Sequence, residues 1–308
     1  MTAGAPVVPS AASRTPRRGG GTGGLWWLVL PALAFFVTFG VVPLLGVFGL
    51  SFASWNGIGA ITFGGLDAWR TVLADPGLLH SIFVTFEIMV ISWAVQTPAS
   101  ILLGTFLAGF QRYRGVLAVL YVLPLLLSSA ALAVTWKALL DPNFGLGAGL
   151  GIPLLSQNWL GEGGLAVAVV IFIVSWQFVP FHALIYQGGV RQIPRSLYEA
   201  AEIDGAGRVR QFFSITLPQL KYTIITSSTL MVVGSLTFFD LIFVLTAGGP
   251  GDATRVLAVE MYQTGFLGNQ MGPASAIAVI IVLSGLVIAQ LLRRLGGRDA
   301  SASQLEGM

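Results

Sequence analysis

The chain contains no cysteine. Disulfides, thiolate nucleophiles and cysteine-ligated metal centres are therefore excluded. Charge is almost as scarce. Only 9% of its 308 residues are Asp, Glu, Lys or Arg, where a soluble domain carries about 25%. Lysine occurs twice, at Lys137 and Lys221, and neither follows a glycine. The sequence thus has no G-x-x-x-x-G-K-[ST] phosphate loop, and if ATP drives this protein, another polypeptide binds it. It also lacks H-E-x-x-H and G-x-S-x-G, the signatures of zinc and serine hydrolases. His182 has no metal-ligand companion in the sequence, so no metal site is expected.

What fills the chain instead is apolar: 55% hydrophobic residues and a mean hydropathy of +0.82. A helix needs roughly 20 apolar residues to cross a bilayer. Six stretches qualify, at about 26–50, 81–110, 116–139, 165–186, 222–245 and 273–292. The expected fold is an all-α membrane protein of six transmembrane helices. Residues 1–24, rich in Gly, Ala, Pro and Ser, read as a disordered tail by composition, and 296–308 as a second tail. A signal peptide competes for the first stretch, since Ser51 and Ala53 mimic a cleavage site. The run from Trp26 to Phe52 exceeds a signal's apolar core of about 7–15 residues, which favours a retained helix.

Basic residues set the orientation. Thirteen fall on one side: Arg14, Arg17 and Arg18; Arg112 and Arg114; Arg191, Arg195, Arg208, Arg210 and Lys221; Arg293, Arg294 and Arg298. Three fall on the other: Arg70, Lys137 and Arg255. By the positive-inside rule both termini are cytoplasmic in the cell (plasma) membrane. The outer loops are then 54–80, 140–164 and 246–272. In the first, Asp67 is expected to cap a short helix through Ala74, with Trp55 and Trp69 at the membrane interface.

The longest cytoplasmic connection, 187–221, interrupts this apolar pattern. "EAAEIDGAGRVRQFFSITLP", Glu199 to Pro218, carries five charges in its first twelve residues. "SLYE" is a capping-box pattern, with Ser196 as N-cap and Glu199 three residues on. Gly205 or Gly207 suits a left-handed break. Val209, Phe212, Phe213 and Thr216 then recur at helical spacing as one amphipathic face, and Pro218 ends or kinks the second helix. The small residues Ala200, Ala201, Gly205, Ala206 and Gly207 keep the surface low enough for another protein to approach. An amphipathic helix on lipid, with Glu199 merely a cap, is the competing reading. The acids count against it, because anionic headgroups repel them.

This stretch resembles the EAA motif of ABC importer permeases, with E-A-A, D-G-A and I-x-L-P in register and in the loop before the last two spans. The resemblance implies a pair of coupling helices between spans four and five that inserts into an ATPase subunit. Glu199, Ala200, Ala201, Asp204, Gly205, Ala206 and Gly207 would form the contact, with Glu199 facing a basic residue. Tyr222 stands where many relatives have a proline. "FGGLDAWRTVLADP" (63–76), "WKALLDPNFG" (136–145) and "FFDLIFVLTAGGPGDATRVLAVEMYQTGF" (238–266) are further similar to permeases of carbohydrate importers. The likeness covers about residues 25–295 and fits a maltose-type first permease without its extra spans and large periplasmic insert.

The implied assembly has a second homologous permease, two ATPase subunits that bind ATP and Mg, and an extracytoplasmic sugar-binding (lipo)protein. No cofactor in this chain and no nucleic acid are implied. Inside the spans lie Trp93, Gln96, Trp176, Gln177, His182, Ser235, Phe238, Phe239 and Asp240. Aromatic faces and neutral hydrogen-bonding groups of this kind suit a sugar. The expected substrate pathway is Trp176, Gln177, Ser235, Phe238, Phe239 and Asp240. Packing for the phenylalanines and snorkelling for Asp240 compete with that reading, and Glu87 is either paired or solvated. A glycerol-phosphate or other small-solute importer is the alternative. A self-contained secondary transporter fits less well, because there is no clear internal repeat and few intramembrane ionisable residues.

Overall fold

The computed structural model describes residues 26–109 and 112–295. Both expected tails and the middle of the loop after the second span, Phe110 and Gln111, lie outside the described residues. The chain divides into two compact units, 1–46 and 47–308.

The described part is almost wholly helical. Helix α1, Trp27–Leu50, is long and apolar enough to cross a membrane and opens into a π-turn at Val37–Val41. A two-stranded antiparallel hairpin follows, β1 Ala53–Ser54 with β2 Thr62–Phe63, registered Ala53 to Phe63. The short helix α2, Asp67–Ala74, forms where expected, but Leu66 occupies its N-cap. Asp67 instead sits in the first turn and pairs with Arg70 at 3.3 Å. Asp75 stops α2 and starts α3: its carboxylate accepts from the Gly77 N–H at 2.8 Å, and Pro76 fits the first helical position. Helix α3 therefore runs Pro76–Leu107, five residues longer at its start than the apolar run alone indicated. Trp69 packs into the core beside Val72 and Leu78. Trp55 and Trp69 are half-buried, and their indole nitrogens are covered without a partner among the described residues.

The third apolar segment is not one helix. It forms α4, Arg112–Leu126, and α5, Ser129–Leu139, bent by 94°. After the short α6, Leu146–Leu150, helix α7 runs unbroken from Gly163 to Gln192. Two short helices come next, α8 Arg195–Ile203 and α9 Arg208–Gln211. The fifth apolar segment is again a bent pair, α10 Lys221–Ser235 and α11 Asp240–Thr246, at 47°. Helix α12, Leu257–Tyr262, and helix α13, Met271–Leu295, complete the chain. Among the described residues, four helices are thus long and apolar enough to span a membrane, or six if each bent pair counts as one span.

The α3–α7 pair is the axis of the larger unit. At Gly104 the helices touch: a Cβ there would lie 2.6 Å from the Ala183 carbonyl oxygen. Small residues let membrane helices approach this closely, and polar side chains then bridge them. Ser100 Oγ donates to the Val179 carbonyl at 3.2 Å, and the Gln187 amide donates to that of Leu107 at 2.8 Å. The largest core cluster surrounds this axis. It takes Val84 and Ile88 from α3, Leu132 from α5, Val170, Ile173 and Val174 from α7, Leu241, Ile242 and Leu245 from α11, and Val259 from α12.

Candidate functional site

Both helix breaks open on one cavity of about 520 Å³, between α3, α7 and the two bent pairs. Such breaks leave backbone groups without helical partners, which a membrane protein tolerates only where other groups satisfy them or a cavity hydrates them. At the first break the Gln177 amide donates to the Leu127 carbonyl at 3.2 Å, and its other end meets Ser129 Oγ at 3.4 Å. Ser128 caps α5 by accepting from the Ala131 N–H at 3.2 Å. At the second break Ser235 Oγ donates to the Val232 carbonyl and Thr237 Oγ to that of Gly234, each at 2.8 Å. Phe239 stands at the N-cap of α11 without a capping hydrogen bond, and Asp240 begins its first turn.

Five of the six expected pathway residues line this cavity: Gln177, Ser235, Phe238, Phe239 and Asp240. Trp176 does not. Its ring meets Trp136 edge-on at 5.6 Å, outside the lining set, because one residue along α7 turns a side chain by 100°. Phe238 stacks on Phe178 at 5.9 Å, and Phe239 on Phe243 at 5.1 Å. Asp240 is exposed and lines the cavity at the helix break. Trp93, Gln96 and His182, noted in the spans, also face the cavity. The Trp93 indole donates to Ser228 Oγ at 2.8 Å, and His182 Nδ1 bonds Ser227 Oγ at 2.9 Å. Glu87 is half-buried on α3 with no ion pair among the described residues. Other lining residues escaped the sequence reading, among them Ser92, Ser129, Phe178, Phe181 and Thr237. A signal existed for Ser92. Ser81, Thr85, Ser92, Gln96 and Ser100 recur at helical spacing along α3, and all are buried.

The charged stretch folds as two short helices, with two expectations corrected and one narrowed. First, no capping box forms: α8 starts at Arg195 with Pro194 at its N-cap, and Ser196 lies inside the helix without a capping bond. Proline's fixed φ starts the helix two residues early and displaces Ser196 from the cap. Second, the left-handed residue is Gly205, at φ +73, while Gly207 is extended at φ −68. The Ala206 N–H donates to the Ala201 carbonyl at 2.8 Å and the Gly205 N–H to that of Glu202 at 3.0 Å, the paired bonds of a Schellman end. Third, the expected amphipathic face is split by a π-turn at Phe212–Thr216. Thr216 is buried and Phe212 packs toward Ile101, Tyr186 and Leu220, whereas Val209 and Phe213 are exposed.

Tyr198 and Thr216 share a hydrogen bond of 2.9 Å that ties α8 to the segment leading into α10. Around it, Glu199, Ala200, Asp204, Gly205 and Gly207 are exposed, and Ala201 and Ala206 half-exposed. Ile203, 87% exposed, stands at the tip between the two helices. Glu199, Glu202 and Asp204 form no salt bridge among the described residues.

"LTAGGPG" and the residues after it form a tight loop between α11 and α12. Thr246 and Thr254 hydroxyls meet at 2.7 Å, and Thr254 Oγ donates to the Gly249 carbonyl at 2.8 Å. Arg255 pairs with Asp252 at 2.6 Å and with the buried Glu260 at 3.5 Å. Two contacts fasten the loop to α3: the Leu257 N–H donates to Thr85 Oγ at 2.8 Å, and His80 Nε2 bonds the Asp252 carbonyl at 3.0 Å.

This architecture has relatives. Residues 96–298 match the family described as binding-protein-dependent transport system inner membrane component. The chain is 32% identical over 269 residues to the trehalose/maltose transport system permease protein MalF of Thermococcus litoralis, covering 85% of this chain and 90% of the relative. It is 32% identical over 267 residues to the sn-glycerol-3-phosphate transport system permease protein UgpA of Brucella abortus, covering 83% and 89%. Its fold is that of a chain in the crystal structure of a bacterial ABC transporter involved in the import of the acidic polysaccharide alginate. The TM-score is 0.78 at 23% identity, over 89% of this chain and 95% of that one. With its multi-pass helical fold and two breaks around one cavity, the chain belongs to the family of binding-protein-dependent transport system inner membrane components, and it is an ABC importer permease, a transport component rather than an enzyme.

Proposed function

We propose that this chain is the six-span permease subunit of an ATP-driven sugar importer and that α8 and α9 couple it to an ATPase. One observation carries this reading. An apolar tip, Ile203, stands in the open beside three acids that form no salt bridge among the described residues, on two short helices tied back toward α3 and α7. Val209 and Phe213 of the same stretch are exposed as well, and apolar exposure of more than a single residue marks an interaction surface. The thirteen-to-three split of basic residues supports cytoplasmic termini, with the 187–221 connection on the same side. Each bent pair then counts as one span, and the permease domain runs about 25–295 between two tails.

The partners in this reading are a second homologous permease, two ATPase subunits that hold ATP and Mg, an extracytoplasmic sugar-binding protein and membrane lipid. The chain itself carries no cofactor. Sugar is favoured by the named substrates of the trehalose/maltose relative, and by a cavity of aromatic rings beside neutral amides and hydroxyls. Glycerol 3-phosphate transport by another relative keeps a phosphorylated solute as the second reading.

Docking is tested by reconstituting the complex with its ATPase. Truncating one partner of a buried charge pair costs about 3–5 kcal/mol. Glu199→Ala and Ile203→Asp are expected to weaken ATPase capture and to uncouple hydrolysis from uptake. Reversing a basic residue in the ATPase cleft should rescue Glu199→Arg. Normal capture and uptake by both single variants would refute docking through α8. Orientation is tested by single cysteines in this cysteine-free chain: Thr15→Cys and Ser303→Cys should resist impermeant reagents in intact cells, and Asn158→Cys should react.

A further inference from the structure

A second cavity, of about 340 Å³, lies where the ends of α3 and α7 meet α8 and α9. Ligand sites run from roughly 300 to 1,000 Å³, so it is large enough to hold one. Three arginines from three helices line it. Arg191 belongs to the last turn of α7, Arg195 opens α8 and Arg208 opens α9. No carboxylate is among the described lining residues. Glu199, Glu202 and Asp204, the acids of the same connection, stand outside it, as do the exposed Ile203, Val209 and Phe213. The docking surface and this cavity therefore draw on different residues.

Helix stability does not account for these arginines. A cation suits the last turn of a helix and opposes the dipole at its first. Arg191 is placed favourably, whereas Arg195 and Arg208 are not. Grouping like charges adds to the cost. Arg191 and Arg208 form no salt bridge or side-chain hydrogen bond among the described residues. Neutral donors beside them are committed: Tyr198 and Thr216 to each other at 2.9 Å, and the Gln211 amide to the Ala206 carbonyl at 2.9 Å. What the cavity offers a ligand is guanidinium groups, and all three are exposed, so an ion in solution or at a membrane surface can reach them.

We propose that this cavity binds an anion bearing a phosphate group through Arg191, Arg195 and Arg208. A guanidinium donates a planar fork to two oxygens of one anion. A carboxylate presents two oxygens and a single charge. A phosphate monoester presents three acceptor oxygens and more than one charge near neutral pH, which suits several forks at once. The phosphate can belong to a lipid headgroup or to a small solute. On the topology proposed above, the cavity lies at the cytoplasmic ends of α3 and α7, where basic pockets between spans hold anionic headgroups. The lipid source rests on that topology; binding of a phosphate group does not.

The test uses the purified full chain in phosphatidylcholine nanodiscs, with phosphatidic acid or inorganic phosphate as the probe. Binding is read as a rise in the thermal midpoint and, for the lipid, as retention in native mass spectrometry. At least one probe is expected to bind the parent, more weakly as salt is raised. A response to phosphatidic acid alone identifies a headgroup, and a response to inorganic phosphate identifies a soluble ligand. Arg191→Gln combined with Arg208→Gln should weaken binding about tenfold or more. Arg208→Gln is also measured alone, so that the test stands if the double variant fails to fold. Arg210→Gln, on the same short helix but outside the lining, should bind like the parent. Binding of neither probe, parental binding by the Arg208 variant, or an equal loss in the Arg210 and Arg208 variants overturns the proposal. If neither probe binds and the double variant instead loses capture of the ATPase, the cavity receives an acid of that partner, and the phosphate site fails while the importer reading stands.

Discussion

Helices α3 and α7 are continuous, whereas α4–α5 and α10–α11 are bent pairs, and proline does not account for the difference. Both continuous helices contain one internally, Pro98 and Pro180. Pro124 lies in α4 just ahead of the first break. The second break, Leu236 to Phe239, has no proline at all. A proline costs a helix one backbone hydrogen bond, and whether the helix then breaks depends on what its neighbours supply. The continuous pair is held by backbone contact at Gly104 with bridges from Ser100 and Gln187. At the first break Gln177 takes the Leu127 carbonyl, and the second faces a cavity. Rigid packing and a satisfied break are two answers to the same backbone requirement.

Substitutions can separate them. The largest effect is expected at Gly104. Gly104→Val would drive a side chain into the Ala183 backbone, a clash that no rotamer relieves. Overpacking of this kind costs about 3 kcal/mol, so the purified protein should melt far below the parent or fail to accumulate. A parental melting curve would show that the continuous pair does not depend on close approach. Next comes Gln177→Leu, which keeps the packing but orphans the Leu127 carbonyl. A loss of about 1–3 kcal/mol is expected, together with faster hydrogen exchange confined to the α4–α5 junction. Uniform exchange along the chain would mean that the amide does not hold that break.

The short helices sharpen the contrast, because there a glycine ends a helix by design. Gly205→Ala forces a left-handed conformation on an L-residue and should cost about 1 kcal/mol, while Gly207→Ala at an extended φ should be near neutral. Equal effects at the two positions would contradict the turn described here. The smallest effect is expected at Ser196. As an N-cap its loss would cost about 1 kcal/mol, but inside α8, without a capping bond, Ser196→Ala should change the thermal midpoint hardly at all.

Much of this was readable in the residues. The apolar runs located the membrane-length helices, since burial in lipid needs length and apolarity, which are local properties. The short helix expected through Ala74 is α2, which ends there, and the EAA stretch marked an exposed element. The misplaced details were all decided by a neighbour. Ser196 lost its cap because Pro194 began the helix, and Trp176 left the cavity for Trp136. Val209 and Phe213 turned outward across a π-turn.

The sequence by itself determined that the chain is a mostly helical membrane protein with an exposed charged connection, because hydropathy, charge asymmetry and motif spacing add up along the chain without reference to its fold. Only the tertiary structure decided that two apolar runs break, that both breaks face one cavity, and which polar side chains there are already committed. Hydrogen-bond capacity is shared among side chains far apart in sequence, such as Gln177 and Leu127 or Trp93 and Ser228. No reading of one segment can tell whether its polar groups are spent or free.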